Sequence, residues 1–286
     1  MRVRPPRISG YLLGPRLGGG PTCDVFSATG ETSGEVWAIK VLREEAAADA
    51  ANLQLFRREA RVGMAVRHRH LVRVMAAEID SDDPPHLVME RVPGRSLRWY
   101  LRRADWLTPR LAGDVGRQVA EALAALHAAG YLHADVKPDN LHLSPCGQAK
   151  LLDLGFAHRP GEDPGLLDDG FVLGTANYIA PEVCTGLAAE GPAADVFSLG
   201  VSLFELFTGC LPYPDGSVDE TMTRHRDGAP DRLADWRGAW PAGAAALVDA
   251  MLARDPAGRP TAAEAAGELR RLFPRAADDV VLRVRR

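Results

Sequence analysis

The 286-residue sequence lacks several features that mark whole classes of protein. No apolar run approaches the ~18 residues of a membrane span, and the N-terminus has no apolar region of the kind a signal peptide needs. No cysteine is spaced with another cysteine or a histidine as in a zinc site or a disulfide framework. These absences exclude the secreted, fibrous and membrane-spanning classes and predict a cytoplasmic protein with free thiols. The four cysteines are Cys23, Cys146, Cys184 and Cys210.

Positive charge is not in excess either. The chain carries 34 Lys and Arg against 38 Asp and Glu, for a net charge of −4. A surface of that balance has no electrostatic preference for nucleic acid or for an anionic membrane. With 46% hydrophobic and 25% charged residues, the composition is that of a folded globular protein.

Lysine is the scarcest charged residue. Only Lys40, Lys137 and Lys150 occur among the 34 basic residues, so nearly all the positive charge is arginine. Because an ammonium is compact and a guanidinium is a planar fork, the few lysines indicate places where a point charge is needed. The alternative is a genome that favours arginine codons, with three lysines left at random.

The first third of the chain reads as short strands with one helix. The apolar runs 23–28 and 36–42 enclose a Gly/Ser/Thr turn, which predicts an antiparallel hairpin. A helix is expected over 52–67, where apolar residues follow helical spacing. A further short apolar run covers 86–90 and is closed by Pro93-Gly94.

The remainder is helical. Thr108-Pro109 supplies an N-cap and a first-turn proline, and Gly130 a stop. The run 195–208 is apolar almost all round, which predicts a buried helix. Thr261 and Glu264 form a capping box that opens a last helix. The strand-rich first third and the helical remainder together predict an α+β fold of two lobes, joined near 91–94.

The polar segment LHADVKPDN at 132–140 follows an amphipathic helix, and Asp153-Leu154-Gly155 comes thirteen residues after Asn140. A single Asp–Asn pair is usually a hydrogen-bonding turn. The spacing, however, resembles the catalytic loop and the metal-binding motif of protein kinases.

More matches to that family stand in order along the chain. They are a Gly-rich stretch followed by Val25, then Ala38-Ile39-Lys40, Glu59, the segment 174–182 (GTANYIAPE), 195–200 (DVFSLG) and Arg259-Pro260. Any one of them is weak evidence, but their order over about 260 residues is not easily accidental. The chain resembles a eukaryotic-type (Hanks-type) serine/threonine protein kinase catalytic domain, most like the bacterial members.

The resemblance implies a kinase domain over 10–273 with terminal tails at 1–9 and 274–286. Within it, 10–90 would form a small antiparallel β-sheet lobe with one helix, 91–94 a hinge, and 95–273 a larger, mainly helical lobe.

The resemblance also implies roles for individual residues. Asn140 and Asp153 would hold Mg²⁺, whose preferred ligands are hard oxygens. Asp135 would orient the acceptor hydroxyl and take its proton, with Lys137 beside the transferred phosphate. Lys40 would contact the phosphates of ATP and be braced by Glu59. The residues implied at the nucleotide are Leu17, Gly18, Gly20, Val25, Ala38, Lys40, Glu59, Met89, Glu90, Val92 and His142.

Lys137, two residues after the catalytic Asp135, is typical of kinases acting on serine or threonine, and Gly174-Thr175 with Tyr178 agrees. The partners that the resemblance implies are a protein substrate and either an activating protein or a second copy of the chain. Glu182 and Arg259 would form a buried ion pair. The resemblance gives Lys150 no role in catalysis.

Five positions depart from the family pattern: Cys23, Gly63, Ala134, His142 and Leu154. Cys23 replaces the third glycine of the phosphate-covering loop, either as a thiolate favoured by Lys40 or as an unreactive small residue in a turn. Gly63 stands where a larger residue usually braces the Glu59 helix, which predicts a gap and low basal activity. His142 occupies a place that is usually apolar and lies beneath adenine. Leu154 replaces Phe.

Ala134 replaces the arginine that ordinarily meets a phosphorylated residue of the activation segment. The residues 154–174 contain no Ser, Thr or Tyr. Together these facts predict a kinase that does not need phosphorylation of this segment, with control left to a partner that presses on the Glu59 helix. The acidic pair Asp168-Asp169 is expected to be a solvated turn.

Two other functions are compatible with the same motifs. The chain could be a kinase-fold regulatory module with weak or no turnover, an alternative that Cys23, Gly63 and His142 favour. It could also be a small-molecule phosphotransferase, but the segments 175–182 and 195–200 are typical of protein kinases instead.

Overall fold

The computed structural model describes residues 5–103, 108–162, 175–185, 190–214 and 216–274. The activation-segment prediction for 163–174, including Asp168-Asp169, falls outside these residues, as does the tail from 275 on. The chain divides into two compact units. The first comprises the described residues of Met1–His68, Val72–Val92 and Asp153–Gly155, and the second comprises those of Arg69–Leu71, Pro93–Leu152 and Phe156–Arg286.

The first unit is built on a five-stranded antiparallel sheet with strand order β1-β2-β3-β5-β4. The predicted hairpin is confirmed as β2 and β3, paired from Cys23 opposite Leu42 to Thr29 opposite Val36. The bounds are β1 Tyr11–Gly19, β2 Cys23–Gly30, β3 Val36–Leu42, α1 Glu44–Ala47, α2 Ala50–Ala65, β4 Val74–Glu78 and β5 His86–Glu90.

Side chains alternate between the two faces of this sheet. Phe26, Ile39 and Val88 oppose one another across β2, β3 and β5, and they are buried in the core of the unit. The neighbouring positions point to the other face, where Lys40 lies. The long helix α2 begins two residues earlier than predicted because the Asp49 side chain accepts a hydrogen bond from the Ala51 amide.

The second unit is mainly helical and contains a three-stranded sheet in the order β6-β7-β8. The predicted caps are confirmed: Thr108 accepts from the Leu111 amide, Gly130 follows the helix with φ +81°, and Thr261 and Glu264 form a capping box. The strands are β6 Arg95–Ser96, β7 Leu141–Leu143 and β8 Ala149–Leu151. The helices are α3 Leu97–Leu101, α4 Pro109–Ala128, α5 Pro192–Thr208, α6 Val218–Asp227, α7 Ala242–Met251 and α8 Ala262–Leu272.

Helix α5 is buried along most of its length, as its sequence predicted. Short 3₁₀ turns occur at Ala176–Tyr178, Val183–Thr185, Leu233–Asp235 and Pro256–Gly258. The α+β architecture expected from the sequence is confirmed. Within the ranges that the structure describes, no helix combines the length and the apolar character that crossing a membrane requires.

The predicted gap beside Gly63 is wrong. A Cβ atom at this position would lie 2.3 Å from Cγ2 of Val74 on β4 and 3.4 Å from Cδ1 of Leu154. The glycine therefore lets α2 approach β4 closely, and the space is filled by Val74 rather than left empty. A loosely held helix, inferred from the gap, loses its basis.

Of the two possibilities for Cys23, the thiolate is contradicted. Cys23 is buried in the fold. Burial raises the pKa of its thiol, and this outweighs the opposite effect of the Lys40 ammonium. The loss of water on burial therefore has a larger effect on the thiol than the nearby charge.

We expect Gly63→Ala to lower the free energy of unfolding by about 1–3 kcal/mol, because the added methyl overlaps Val74. The matched control is Gly267→Ala on α8, where a Cβ meets nothing within 4 Å. That variant should be more stable by about 0.5–1 kcal/mol, since alanine is the better helix former. Denaturant unfolding measures the free energy of unfolding of both variants. A Gly63→Ala protein as stable as its parent would contradict the packing described.

We expect iodoacetamide to alkylate native Cys210, which is exposed, at least about tenfold faster than Cys23. Peptide mass spectrometry over time measures both sites, and the rates should converge in denaturant. Because burial rather than a ligand protects Cys23, Mg·ATP should leave its rate unchanged. Rapid labelling of Cys23 that ATP slows would restore the thiolate.

Candidate functional site

Lys40 is the centre of a charged cluster in the first unit. Its Nζ atom lies 2.6 Å from Oε2 of Glu59 and 3.1 Å from Oδ1 of Asp153. Burial acts to lower the pKa of Lys40, but the two carboxylates reverse the effect and raise it above its ordinary value. The lysine is therefore a fixed positive charge, held between two acceptors that come from α2 and from the segment after β8.

The sheet register explains why Lys40 stands where it does. It pairs with Val25 on one side and with Leu87 on the other, and Ala38 pairs with Met89. Directly opposed residues share a face, as do residues two apart on a strand. Four residues predicted at the nucleotide therefore lie on one face of the sheet: Val25, Ala38, Lys40 and Met89.

Glu59 is a buried carboxylate on the face of α2 that also carries Phe56 and Gly63. Burial raises the pKa of Glu59, and the Lys40 ammonium opposes this shift. A buried charge of this kind is tolerated only when it is paired. The ion pair expected between these two residues is present.

Asp153 has φ +62°, in the left-handed region that few residues other than glycine adopt. Its side chain is 41% exposed, so one oxygen contacts Lys40 while the group still reaches solvent. Backbone strain of this kind is typical of functional sites. Asp153 is thus a carboxylate that contacts an ammonium and is partly exposed to solvent.

The Gly-rich turn between β1 and β2 depends most on a glycine the sequence reasoning passed over. Gly19 has φ +145°, and a Cβ atom there would lie 2.5 Å from the carbonyl oxygen of Cys23. Side chains at Gly18 and Gly20 would meet nothing within 4 Å. The buried Asp24 fixes the turn, accepting from Arg16 Nε at 2.5 Å and from Arg43 Nε at 2.9 Å.

Polar residues of the segment 135–140 and Thr175 in the second unit converge on Asp135. Asn140 donates from Nδ2 to the carboxylate and to the carbonyl oxygen of Asp135, both at 2.8 Å. Lys137 Nζ lies 2.9 Å from Oδ1 and 2.7 Å from Oδ2. Thr175 donates to Oδ1 at 3.3 Å and accepts from Lys137. Asp135 is therefore a carboxylate held in one orientation by three neighbours.

The backbone of this loop is held by Asp195 near the start of α5. Its carboxylate accepts from the amides of His133 and Ala134 and from Nε2 of His127, each at 2.8 Å. Burial acts to raise the pKa of Asp195, but hydrogen bonds led by that from His127 lower it, so the group stays ionised. These bonds stabilise Ala134 at φ +62°, a conformation unusual for alanine. The sequence marked Asp195 as the start of a buried helix and as part of a family motif, but did not predict these hydrogen bonds.

His133 is fixed as one tautomer. Its Nδ1 accepts from the Asp135 amide at 3.2 Å, while Nε2 donates to the carbonyl oxygen of Leu152 at 3.1 Å. The ring therefore links the loop to the chain just before Asp153.

Arg98 on α3 was missed by the sequence reasoning. Its guanidinium contacts Asp139 at 3.0 Å, the buried Glu205 and the hydroxyl of Tyr178, and its amide donates to the carbonyl of Pro138. Three stretches of chain meet at this one side chain. No local pattern could have found it, because the partners of its side chain lie between 41 and 107 residues away.

The predicted ion pair of Glu182 and Arg259 is confirmed. The two guanidinium nitrogens Nη1 and Nη2 lie 2.7 and 2.8 Å from the two carboxylate oxygens. The Arg259 guanidinium also lies over the ring of Phe197, 4.9 Å from its centroid. This bidentate geometry suits arginine.

The other predicted site residues are placed as follows. Glu90 ends β5, and its carboxylate accepts from the Arg73 amide at 2.8 Å. Val92 ends the first unit, and Leu17 is exposed on β1. His142 lies on β7 opposite Ser96 and Lys150, and burial lowers its pKa. Its Nδ1 atom is buried without a hydrogen-bond partner in the described part of the chain.

Two oxygen groups suit a hard cation such as Mg²⁺. The Asp153 carboxylate reaches solvent in the first unit, and in the second unit the Asn140 amide nitrogen bonds to Asp135, which leaves the amide oxygen for another partner. Among the described residues there is no cluster of three or more His, Cys, Asp or Glu that could hold a metal. Mg²⁺ commonly takes one or two protein ligands and completes its shell with phosphate and water.

Comparison with known proteins agrees with this arrangement. The chain is 34% identical over 271 residues to the probable serine/threonine-protein kinase PknB of Corynebacterium glutamicum, with 92% of this chain and 42% of that protein covered. It is 36% identical over 279 residues to the serine/threonine-protein kinase PkaA of Streptomyces coelicolor, with 93% and 50% covered. It is 34% identical over 254 residues to PknA of Mycobacterium tuberculosis, with 87% and 58% covered.

The chain thus spans about half the length of the relatives it matches. The pattern of the family described as "Protein kinase domain" matches residues 11–268. That match covers most of the chain and includes every charged group described above. The chain belongs to the protein kinase domain family.

Proposed function

We propose that this chain is a protein serine/threonine kinase, which transfers the γ-phosphoryl group of ATP to hydroxyl groups of protein substrates. The observation that carries the proposal is the buried Lys40–Glu59 pair with Asp153, an ammonium fixed among carboxylates in a chain with three lysines. Phosphoryl transfer needs charge and positioning more than covalent chemistry.

In the proposed reaction the acceptor hydroxyl oxygen forms a bond to the γ-phosphorus, the bond to the β-phosphate oxygen breaks, and ADP leaves. The hydroxyl proton passes to Asp135, which its neighbours hold in position. Lys137 offsets negative charge on the transferred group, and Lys40 binds the phosphates that stay on ADP.

Asn140 and Asp153 supply the oxygen atoms proposed to hold Mg²⁺. The cation, when bound, neutralises phosphate charge. The Asp153 carboxylate is partly exposed, and the bonds of Asn140 to Asp135 come from its amide nitrogen, which fits that use.

For the nucleotide itself, the shared sheet face of Val25, Ala38 and Met89 supports an apolar contact with adenine. Open space at Gly18 and Gly20 supports close approach of phosphates to the backbone. The proposed nucleotide contacts are those expected from the sequence: Leu17, Gly18, Gly20, Val25, Ala38, Lys40, Glu59, Met89, Glu90, Val92 and His142.

The preference for serine or threonine rests on Lys137 with Thr175, and on relatives that are named serine/threonine-protein kinases. We propose a catalytic domain over 10–273, a cytoplasmic site of action, and a protein substrate with a partner or second copy as activator. The reading as a binding module without turnover is not favoured, since Lys40, Asp135, Asn140 and Asp153 are all kept.

We expect Lys40→Met and Asp153→Asn each to lower kcat at least about a hundredfold, since each removes a charge aimed at phosphate or metal. Initial rates with labelled ATP and a generic protein substrate measure this. Lys150→Met is the matched control: Lys150 lies on β8, its Nζ is 3.4 Å from the carbonyl of Leu71, and it has no proposed role in catalysis. Near-parental rates from a folded Lys40→Met protein would refute the mechanism.

We further expect full initial activity without phosphorylation of the activation segment. Ala134 offers no charge to a phosphate, and the hydroxyls nearest the segment are engaged: Thr175 with Asp135 and Lys137, and Tyr178 with Glu205. The protein is coexpressed with a phosphatase, shown by mass to carry no phosphate, and assayed at once. A long lag that prior autophosphorylation at Thr175 or Tyr178 abolishes would contradict the expectation.

A further inference from the structure

His158 is a buried histidine five residues after Asp153, and both of its ring nitrogens face oxygen atoms. Nδ1 lies 2.7 Å from the carbonyl oxygen of Phe156, and Nε2 lies 2.9 Å from Oε2 of Glu190. The side chain is 3% exposed and that of Glu190 is 14% exposed. The contact joins residues that stand 32 positions apart.

The donor and acceptor inventory fixes the charge of this ring. A carbonyl oxygen and a carboxylate oxygen can only accept, so each facing nitrogen must carry a hydrogen. A neutral imidazole has one N–H and would turn a lone pair toward one of the two oxygens. With Glu190 as a carboxylate, the geometry therefore requires an imidazolium, and the His158–Glu190 contact is then an ion pair shielded from water.

Arg159, which follows His158 in the sequence, has contacts of its own. Its guanidinium lies over the ring of Tyr131, 4.7 Å from the centroid, and its amide donates to Glu162. Glu190 supplies a carboxylate that His158 contacts directly.

The backbone of His158 connects this ion pair to the catalytic loop. The Leu132 amide donates to the carbonyl of His158 at 2.8 Å, and the His158 amide donates to the carbonyl of Leu132 at 3.2 Å. Leu132 comes three residues before Asp135. A displacement of His158 would therefore also displace Leu132 and the segment that leads to Asp135, the proposed catalytic base.

Glu190 is connected to the same loop from the other direction. It comes five residues before Asp195, the carboxylate that holds the amides of His133 and Ala134. The ion pair thus closes a ring of contacts that runs from His158 through Leu132 to the loop, and from Asp195 back to Glu190.

We propose that His158 and Glu190 are positioning residues for the catalytic loop, acting as a permanent imidazolium–carboxylate pair that orders this loop without a phosphate. The kinetic part rests on the proposed kinase function. The structural part, the charge of His158 and the order of the Leu132–His158 ladder, does not.

The first test removes the charge of the pair while keeping its shape. In Glu190→Gln, kcat should fall about tenfold, because a small displacement of a catalytic group is costly, while KM for ATP should change less than about twofold. Glu190→Asp keeps the carboxylate and should recover most of the loss. Glu268→Gln is the same chemical change at a carboxylate that pairs with Arg271 on α8, and it should have no effect.

The second test does not depend on activity. In protein labelled with ¹⁵N-histidine at pH 7.5, both ring nitrogens of His158, assigned with His158→Gln, should resonate as protonated. In Glu190→Gln they should shift toward a neutral ring, and the Leu132 and His158 amides should exchange with solvent at least about tenfold faster.

Three outcomes would overturn the proposal: a neutral His158 ring in the parent protein, unchanged amide exchange in Glu190→Gln, or parental kcat in that variant. If the parent protein phosphorylates nothing, the proposed function fails, and the ring and amide measurements still decide whether the ion pair exists and orders the loop.

Discussion

The buried ammonium of Lys40 is the constraint on which the first unit depends. Moving a charge out of water costs several kcal/mol, so Lys40 and Glu59 are each tolerated only because the other is present. Asp153 adds a second carboxylate to the contacts of the ammonium. The position of Lys40 is therefore set by two acceptors that come from different parts of the chain.

In the second unit, a buried charge is stabilised mainly by backbone groups. Asp195 is fully buried and ionised, and its carboxylate accepts hydrogen bonds from two loop amides and one imidazole. Those bonds hold Ala134 in a left-handed conformation that costs on the order of 1–3 kcal/mol. The strain presents the side chain of Asp135, next in sequence, to Lys137, Asn140 and Thr175. A carboxylate far along the chain thus sets the geometry of the proposed base.

The sequence predicted the features that depend on residues close together in the chain, and it missed those that depend on distant contacts. The strands β3 and β5 and the caps at Thr108 and Thr261 depend on residues a few positions apart, so local pattern was sufficient. The order of the motifs identified the family and, through it, the charged groups.

The features that escaped prediction depend on distant contacts. Val74 fills the space beside Gly63 from another element, and burial of Cys23 follows from the packed sheet. Arg98 contacts Asp139, Tyr178 and Glu205, and no local sequence pattern marks it.

The scarcity of lysine has a physical explanation in the contacts that arginine and lysine make in this structure. Arg259 meets one flat carboxylate with two parallel bonds, as a planar fork does best. Lys40 and Lys137 instead each contact oxygens of two different residues, which suits three donors on one tetrahedral nitrogen. Where the proposed site uses a point charge, this arginine-rich chain has lysine.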